Sequence, residues 1–236
     1  MSQIKKAVVI GGTGATGHQL IKQLLENDSW GQITSIGRKP VLNGKSHDKL
    51  QDIVIESLYD LSSTEKLWEG NDVFFNCIGT TRKRAGSAKG FIKVEAGISM
   101  EAAKIASHAQ ISHASVISAN GANHNQWAKD WIHPLLYIRT IGQKEQTLIK
   151  NAFDSVSIFR PGMLIRLVGN ETWIERIMKS KGLSLRVDDL ASAMIYDAEN
   201  KNKLSEKYSS VAYLSNENIK ALIKSLQSNF VEPLVE

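Results

Sequence analysis

The sequence predicts an α/β fold with a doubly wound parallel sheet, and three observations support this prediction. Short apolar runs recur along the chain, as at 6–10, 72–79 and 113–118. Amphipathic stretches of helical length separate them, so predicted strands and helices alternate. The runs are apolar at consecutive positions, which is typical of strands covered by helices on both faces of a sheet.

Each element follows from its local pattern. The strand at 6–10 leads into a helix at about 14–27, whose apolar side is Leu20, Leu24 and Leu25. Serine caps favour helices at 63–70 and 215–227. The other predicted strands are 33–37, 52–56, 72–79, 113–118 and 155–162, and the other helices are 90–109, 131–151 and 187–200. The pattern is less regular beyond 163, so we expect a single domain, 1–236, in which 163–236 adds a small substrate-side lobe.

Composition excludes several classes of protein. Of the 236 residues, 42% are hydrophobic and 22% are charged, which is an ordinary globular balance. The net charge of +5 comes without a nucleic-acid-binding module, and no apolar run is long enough for a membrane span. The six histidines lack metal-ligand spacing, so no metal site is expected. The first strand leaves no room for a signal peptide, and the single Cys77 suits a reducing compartment, so we expect a cytoplasmic protein.

A glycine-rich turn follows the first strand directly. In GGTGATG, Gly11 suits the tight turn, Gly14 allows a pyrophosphate to approach the backbone, and Gly17 allows close helix packing. The intervening Thr13, Ala15 and Thr16 would lie at the helix N-terminus, whose N–H groups bind phosphate. The position between a strand and a helix favours a dinucleotide site over a purely structural turn.

The end of the second strand indicates which dinucleotide binds. An NAD site places an acidic residue there to accept from the ribose 2′-hydroxyl. This chain has Arg38 and Lys39 instead, which suit a 2′-phosphate. We therefore expect NADP(H), with a solvated basic turn as the alternative.

Further strand ends should line the same crevice. Cys77 is expected to be a buried structural thiol, because it lies in an apolar strand with no paired histidine. The predicted contacts are Glu56 and Ser57 near the adenine, the backbone of Cys77, Ile78 and Gly79 under its ribose, Ser118, and the backbone of Pro161, Gly162 and Met163 beside the nicotinamide.

The chain resembles an atypical short-chain dehydrogenase/reductase, most closely the Tat-interacting-protein oxidoreductase family, which is related to NmrA-like proteins and nucleotide-sugar epimerases. The similar motifs are GGTGATG, IGRK, IGTTRKRAGSAKGFIKVE (78–95), ISANGA (117–122), LYIRTIGQKE (136–145) and SIFRPGMLI (157–165). They cover about 6–165, and the remainder is similar only through VDDLA (187–191).

The resemblance implies an NADP(H)-binding Rossmann fold in which a tyrosine protonates a carbonyl oxygen. It also implies a lysine one turn later that binds the nicotinamide ribose. Tyr137 matches the tyrosine, but Ile141 stands where the lysine belongs. Ser118 matches the catalytic serine of these proteins, although Asn120 is an alternative for the position nearest the substrate oxygen.

No other cation on this helix is a convincing replacement for the lysine. Lys144 shares a face with Tyr137 but lies two turns along, and Arg139 points away. A phenol with its ordinary pKa of about 10 is ionised in only about one molecule in a thousand at pH 7. Proton donation during reduction should therefore suffer less than proton abstraction during oxidation.

Two interpretations of the function remain open. The first is a weak NADPH-dependent reductase of an unidentified small carbonyl or sugar-like substrate. The second is a catalytically impaired NADP(H)-binding redox sensor or interaction protein, which would have a protein partner and no substrate. Tyr137 as a plain core aromatic is the third possibility for that residue.

Overall fold

The computed structural model describes residues 4–165, 184–204 and 210–229. Seven strands of these residues form one parallel sheet in the order β3-β2-β1-β4-β5-β6-β9, and β7 pairs with β8 in a separate parallel ribbon. The strands are β1 (Lys5–Ile10), β2 (Trp30–Gly37), β3 (Leu50–Val54), β4 (Val73–Asn76), β5 (His113–Ile117), β6 (Ser155–Arg160), β7 (Met163–Ile165), β8 (Ser184–Arg186) and β9 (Val211–Ser215).

Helices connect the strands and cover the sheet. They are α1 (Ala15–Glu26), α2 (Arg82–Ala85), α3 (Ala88–Ile92), α4 (Ile98–His108), α5 (His133–Ile149), α6 (Val187–Leu204) and α7 (Asn216–Asn229). Short 3-10 helices lie at Leu42–Gly44 and Ser62–Leu67, and a π-helical turn at Lys93–Gly97 joins α3 to α4.

The core lies in two layers, one on each face of the sheet. Phe75 belongs to the cluster beneath α1 and α6, whereas Phe74 belongs to the cluster beneath α4. Neighbouring strand residues therefore point into opposite apolar layers, as the period of two in a strand requires. The consecutive apolar residues of the central strands are thus explained by burial on both faces, and the predicted doubly wound sheet is confirmed.

The order of the strands places a crevice above the centre of the sheet. Strand β1 pairs with β2 on one side and with β4 on the other. The chain winds away from β1 in both directions, so the connections above β1 and β4 leave the sheet on opposite faces. Ligands of open α/β sheets bind at this switch point, beyond the carboxyl ends of the strands.

Several predicted elements differ from the structure. Residues 63–70 form no α-helix but a 3-10 turn, Ser62–Leu67, without a side-chain cap. Strand β4 ends at Asn76, three residues before the predicted end, because the chain turns there over the crevice. The long helix predicted at 90–109 contains the π turn, Lys93–Gly97.

The region beyond 163 contains strands that the sequence did not predict. Strand β9 extends the main sheet by pairing with β6, and β7 pairs with β8. The cap at Ser215 is confirmed, since its hydroxyl accepts from the Asn218 N–H at 3.2 Å. Residues 166–183, 205–209 and 230–236 lie outside the described residues, so the substrate-side lobe at 163–236 stays a prediction.

Within the described ranges, no helix is both long enough and apolar enough to cross a membrane.

Candidate functional site

A cavity of about 1170 Å³ opens at the carboxyl ends of the strands. The turns after β1, β2, β3, β4, β5 and β6 all contribute to its wall, together with α5. Every residue predicted for the site lines this cavity except Gly17, and Asn120, the alternative to Ser118, does not line it either. The roles assigned to these residues stay predictions, whereas their assembly around one crevice is a feature of the structure.

The turn after β1 is shaped so that side chains are excluded. Gly11 has a φ of +81°, and a Cβ there would lie 2.5 Å from the carbonyl carbon of Cys77. Gly17 packs against the Gly11 carbonyl oxygen so closely that a Cβ would overlap it. The Gly14 N–H donates to the Gly11 carbonyl oxygen at 2.9 Å, which closes the turn.

Helix α1 begins at this turn without a cap. No side chain bonds the first N–H groups, and the first turn contains no acidic residue. These N–H groups, with the positive end of the helix dipole, therefore face the cavity beside the exposed Thr13, Gly14 and Ala15. The residues present fit a pyrophosphate, because the turn leaves the space and the donors that it needs.

Arg38 and Lys39 follow β2 at the rim of the cavity, and both are exposed. Among the described residues neither side chain has a hydrogen bond or an ion pair. Two free cations at the end of the second strand therefore face the crevice. Glu56 is exposed and Ser57 is half-buried at the end of β3, on the same side.

The loop after β4 forms the floor of the cavity. Cys77 is buried, and burial raises the pKa of its thiol to about 12 although the nearby Lys144 cation lowers it. A thiol with such a pKa stays protonated at neutral pH, as expected for a structural cysteine. Ile78 is also buried, and its N–H donates to Asn76 Oδ1 at 3.1 Å. Gly79 faces open space.

Tyr137 reaches the cavity from α5. Its ring stacks on Phe91, with 5.9 Å between centroids and 26° between planes. No described residue donates to or accepts from its hydroxyl. The pKa of the phenol is raised, first by burial and second by the negative charge of Glu95. Ile141 lies one turn along, buried against Phe91 and Ala122.

The hydroxyl of Ser118 is engaged by the protein itself. It donates to Glu145 Oε1, and Glu145 in turn forms a two-pronged ion pair with Arg160, at 2.8 and 2.6 Å. Because the hydroxyl proton points to the carboxylate, the Ser118 oxygen presents only lone pairs to the cavity.

Three charged residues that line the cavity were not assigned to it by sequence reasoning: Arg84, Glu95 and Lys144. Lys144, which was judged too far along the helix to replace the lysine, is buried, and its Nζ donates to the Ile78 carbonyl oxygen. It also pairs with Glu95 Oε2 at 3.3 Å, and Glu95 Oε1 accepts from the Thr80 N–H at 2.6 Å. Glu95 was not singled out at all, because nothing in the sequence marks a glutamate within a helix as buried.

The backbone after β6 completes the wall. The Pro161 carbonyl oxygen accepts from the Asn120 N–H at 3.1 Å, and the Gly162 N–H donates to Asn216 Oδ1 at 3.1 Å. Met163 begins β7 and is half-buried. No group of three His, Cys, Asp or Glu residues able to hold a metal ion occurs in the part of the chain that the structure describes.

Comparison with known proteins agrees with this geometry. Residues 11–201 match a family model described as NAD(P)H-binding. The chain belongs to the NAD(P)H-binding family. The expected resemblance to atypical short-chain dehydrogenase/reductases is thereby confirmed at the level of the family.

Two curated relatives each match about two thirds of this chain. Protein HTATIP2 of Rattus norvegicus is 29% identical over 164 residues, which are 69% of this chain and 64% of the rat protein. Protein FMP52-1, mitochondrial, of Scheffersomyces stipitis is 32% identical over 160 residues, 67% of each chain. The matched stretch therefore spans less than two thirds of the rat protein.

A solved structure extends the likeness over nearly the whole fold. The oxidoreductase ylbE from Lactococcus lactis superposes with a TM-score of 0.65 at 18% identity, covering 94% of this chain and 97% of that one. This similarity supports the Rossmann-type fold alone. The family match identifies an NAD(P)H-binding protein and leaves the choice between NAD and NADP to the residues of the site.

Proposed function

We propose that this protein binds NADP(H) and is a weak reductase of a small carbonyl or sugar-like compound, with Tyr137 as the proton donor. One observation carries the proposal. A single cavity has the uncapped phosphate turn and the free cations Arg38 and Lys39 at one end, and the unbonded hydroxyl of Tyr137 at the other.

The preference for NADP(H) rests on charge. Arg38 can form a forked pair with a phosphate, and Lys39 adds a second positive charge. Neither residue can accept from a bare ribose 2′-hydroxyl, which is the contact that an acidic residue makes in NAD sites. The residues that would hold the rest of the dinucleotide are the phosphate turn, the floor at 77–79 and the backbone at 161–163.

The direction of the reaction follows from the state of Tyr137. The bound cofactor would supply hydride to a carbonyl carbon, and the chain must then supply a proton to the oxygen. Because burial and Glu95 raise the pKa of Tyr137, the phenol is neutral at physiological pH and holds the proton that reduction requires. Oxidation would need the phenolate, which these surroundings disfavour.

A redox sensor or interaction protein is the second candidate, and specific contacts favour it. Ile141 stands where a cation would bind the nicotinamide ribose. The Ser118 hydroxyl donates its hydrogen bond to Glu145 and so has none to offer a substrate. Both features would weaken catalysis without weakening the grip on the phosphates. In this case a protein partner would recognise the dinucleotide-bound form of the protein.

A cytoplasmic location is part of the proposal, and the single buried Cys77 supports it. The name of the FMP52-1 relative places that protein in mitochondria. Fractionation of cells that express a tagged copy would decide between the two compartments.

A carbonyl screen with NADPH consumption tests the proposal. We expect slow turnover of at least one aldehyde, ketone or keto-sugar, which Tyr137→Phe abolishes. Tyr196→Phe is the matched control, because Tyr196 lies on α6 and does not line the cavity. The reductase would be contradicted by NADPH binding with no turnover, which would favour the sensor. Equal turnover in Tyr137→Phe would remove the proton-donor role.

A further inference from the structure

Two opposite charges are buried together in the floor of the site. Only 1% of Lys144 and 2% of Glu95 is exposed. The Lys144 ammonium donates to the Ile78 carbonyl oxygen and to Glu95 Oε2. The other oxygen of Glu95 accepts from the Thr80 N–H. The pair therefore joins α5 to the loop that follows β4.

The irregular part of the helical segment that follows α3 coincides with Glu95. Glu95 lies within the π turn, Lys93–Gly97, and such turns are frequent at functional sites. The Glu95 carbonyl oxygen accepts from Ser99 Oγ at 2.6 Å, and Ser99 Oγ accepts from Asn76 Nδ2 at 2.9 Å. Asn76 ends β4, so main-chain and side-chain atoms of Glu95 are both linked to the floor of the cavity.

We propose that Lys144 and Glu95 are a positioning pair that fixes the 78–80 backbone beneath the cofactor and restricts Tyr137 to proton donation. This inference rests on the proposed reductase function, because it assigns the direction of proton transfer at the same site. Glu95 is the decisive partner, since its carboxylate cancels the one buried cation that α5 brings to the cavity among the described residues.

The electrostatic argument compares a free cation with a paired one. A lysine alone near a phenol stabilises the phenolate and lowers the pKa of the tyrosine. Here the lysine is 3.3 Å from a carboxylate, and the pKa of Tyr137 is raised, with Glu95 as the charged contributor after burial. The site thus contains a buried lysine whose charge does not lower the pKa of Tyr137.

The elements around Tyr137 carry other charged groups, several of which have protein contacts of their own. Glu145 is neutralised by Arg160, and the Arg139 guanidinium donates to the Ala128 carbonyl oxygen. The His133 ring packs edge-on against Phe91. The Lys93 ammonium lies over the ring of Tyr59, and Arg84 lines the cavity.

Titration of Tyr137 in the cofactor-free protein tests the pair. The protein is labelled with 3-fluorotyrosine, a more acidic phenol, and followed by fluorine NMR, with Tyr137→Phe identifying the signal. Glu95→Gln keeps an acceptor for the Thr80 N–H, removes the negative charge, and replaces the oxygen that faces Lys144 by an NH2 group. We expect it to lower the pKa of Tyr137 by about one unit, a tenfold rise in the phenolate fraction.

A neutral double variant guards against failure to fold. Glu95→Gln alone leaves a buried cation unpaired, which is strongly destabilising. Glu95→Gln/Lys144→Met replaces the pair by two uncharged side chains of similar length. It should also titrate below the parent, because it removes the carboxylate that raises the Tyr137 pKa, but above Glu95→Gln, which leaves the Lys144 cation unpaired. An unchanged Tyr137 pKa in the folded variants would overturn the inference.

The titration of Tyr137 can be measured whether or not the protein reduces a carbonyl. If the expected order of pKa values is found while no carbonyl is reduced, the reductase proposal fails and the electrostatic role of the pair stands. If carbonyl reduction is found while all variants titrate as the parent does, the reductase stands and the pair has no such role.

Discussion

The two ends of the cavity differ in how far the protein has already satisfied their polar groups. At the phosphate end, the first N–H groups of α1 have no cap, and Arg38 and Lys39 have no partner among the described residues. At the reacting end, Ser118 donates to Glu145 and Lys144 is bonded to Ile78 and Glu95.

This difference in hydrogen bonding favours cofactor binding at the phosphate end and disfavours catalysis at the other end. Unpaired donors that are held rigidly by a tight turn gain most when an anion arrives, because little reorganisation is needed. Donors that already bond protein groups must give up those bonds before they can act on a substrate. This contrast supports the proposal of a protein that binds a dinucleotide and reduces its substrate slowly, with Tyr137 as the one unbonded hydroxyl at the described end of the cavity where the reaction is proposed.

The largest expected effect is at the phosphate turn. Gly14→Val should weaken dinucleotide binding by at least about 100-fold, because the side chain would occupy the space of the pyrophosphate. Gly14 has a φ of −74°, and a Cβ there would come no closer than 3.1 Å to its nearest backbone atom, so the fold should survive. Fluorescence titration with NADPH and circular dichroism measure the two effects.

Gly17→Val is the contrasting variant. A Cβ at Gly17 would overlap the Gly11 carbonyl oxygen, so this change should lower the melting temperature as well as the affinity. If Gly14→Val binds NADPH as the parent does, the phosphate end is a structural turn and the comparison between the two ends is lost.

The next effect is at the rim. Arg38→Ala should weaken NADPH binding by at least about tenfold, since a hydrogen bond to a charged group contributes about 1.5–3 kcal/mol. Lys22→Ala is the control, because it removes a cation from the exposed side of α1 without touching the cavity. Equal losses of NADPH affinity in Arg38→Ala and Lys22→Ala would mean that binding depends only on the net charge of the protein.

A moderate gain is expected from opening the reacting end. Ile141→Lys places a cation one turn from Tyr137, while Glu95 is already paired with Lys144. We expect threefold to tenfold tighter NADPH binding and faster reduction, at some cost in stability because Ile141 is buried.

Combination with Tyr137→Phe is the control for Ile141→Lys. The gain in rate should disappear in the double variant, while the gain in affinity should remain. A parent protein that already reduces carbonyls as fast as Ile141→Lys would show that another group supplies the cation.

The smallest effect is expected at Ser118. Because its proton is bonded to Glu145, Ser118→Ala should lower the kcat/KM of any reduction by less than about threefold. The melting temperature should fall only slightly, because Glu145 retains its ion pair with Arg160. A loss as large as that of Tyr137→Phe would restore Ser118 as a direct substrate contact.

Local patterns were sufficient for most of the fold. The strands around Val8 and Phe74 carry apolar residues at consecutive positions, which indicates burial on both faces and a place in the centre of the sheet. Strand β9 escaped prediction because it is a short edge strand, Val211–Ser215, with a partly exposed face. Its identity depends on pairing with β6, which no local pattern encodes.

The candidate site was predictable to the extent that it depends on backbone. Glycine spacing and strand ends located the turn at 11–17 and the rim at Arg38, because topology brings such positions together. The pairing of Lys144 with Glu95 depends on a π turn and on two side chains 49 residues apart. A long lysine can reach several partners, so spacing along α5 could not decide which one it meets.

Parallel titrations of the unmodified protein with NADPH and NADH test the central claim most directly. If the free cations at the rim are a 2′-phosphate site, NADPH should bind at least about tenfold tighter than NADH, and added salt should narrow the difference. Equal affinities for the two cofactors at low salt would contradict the account.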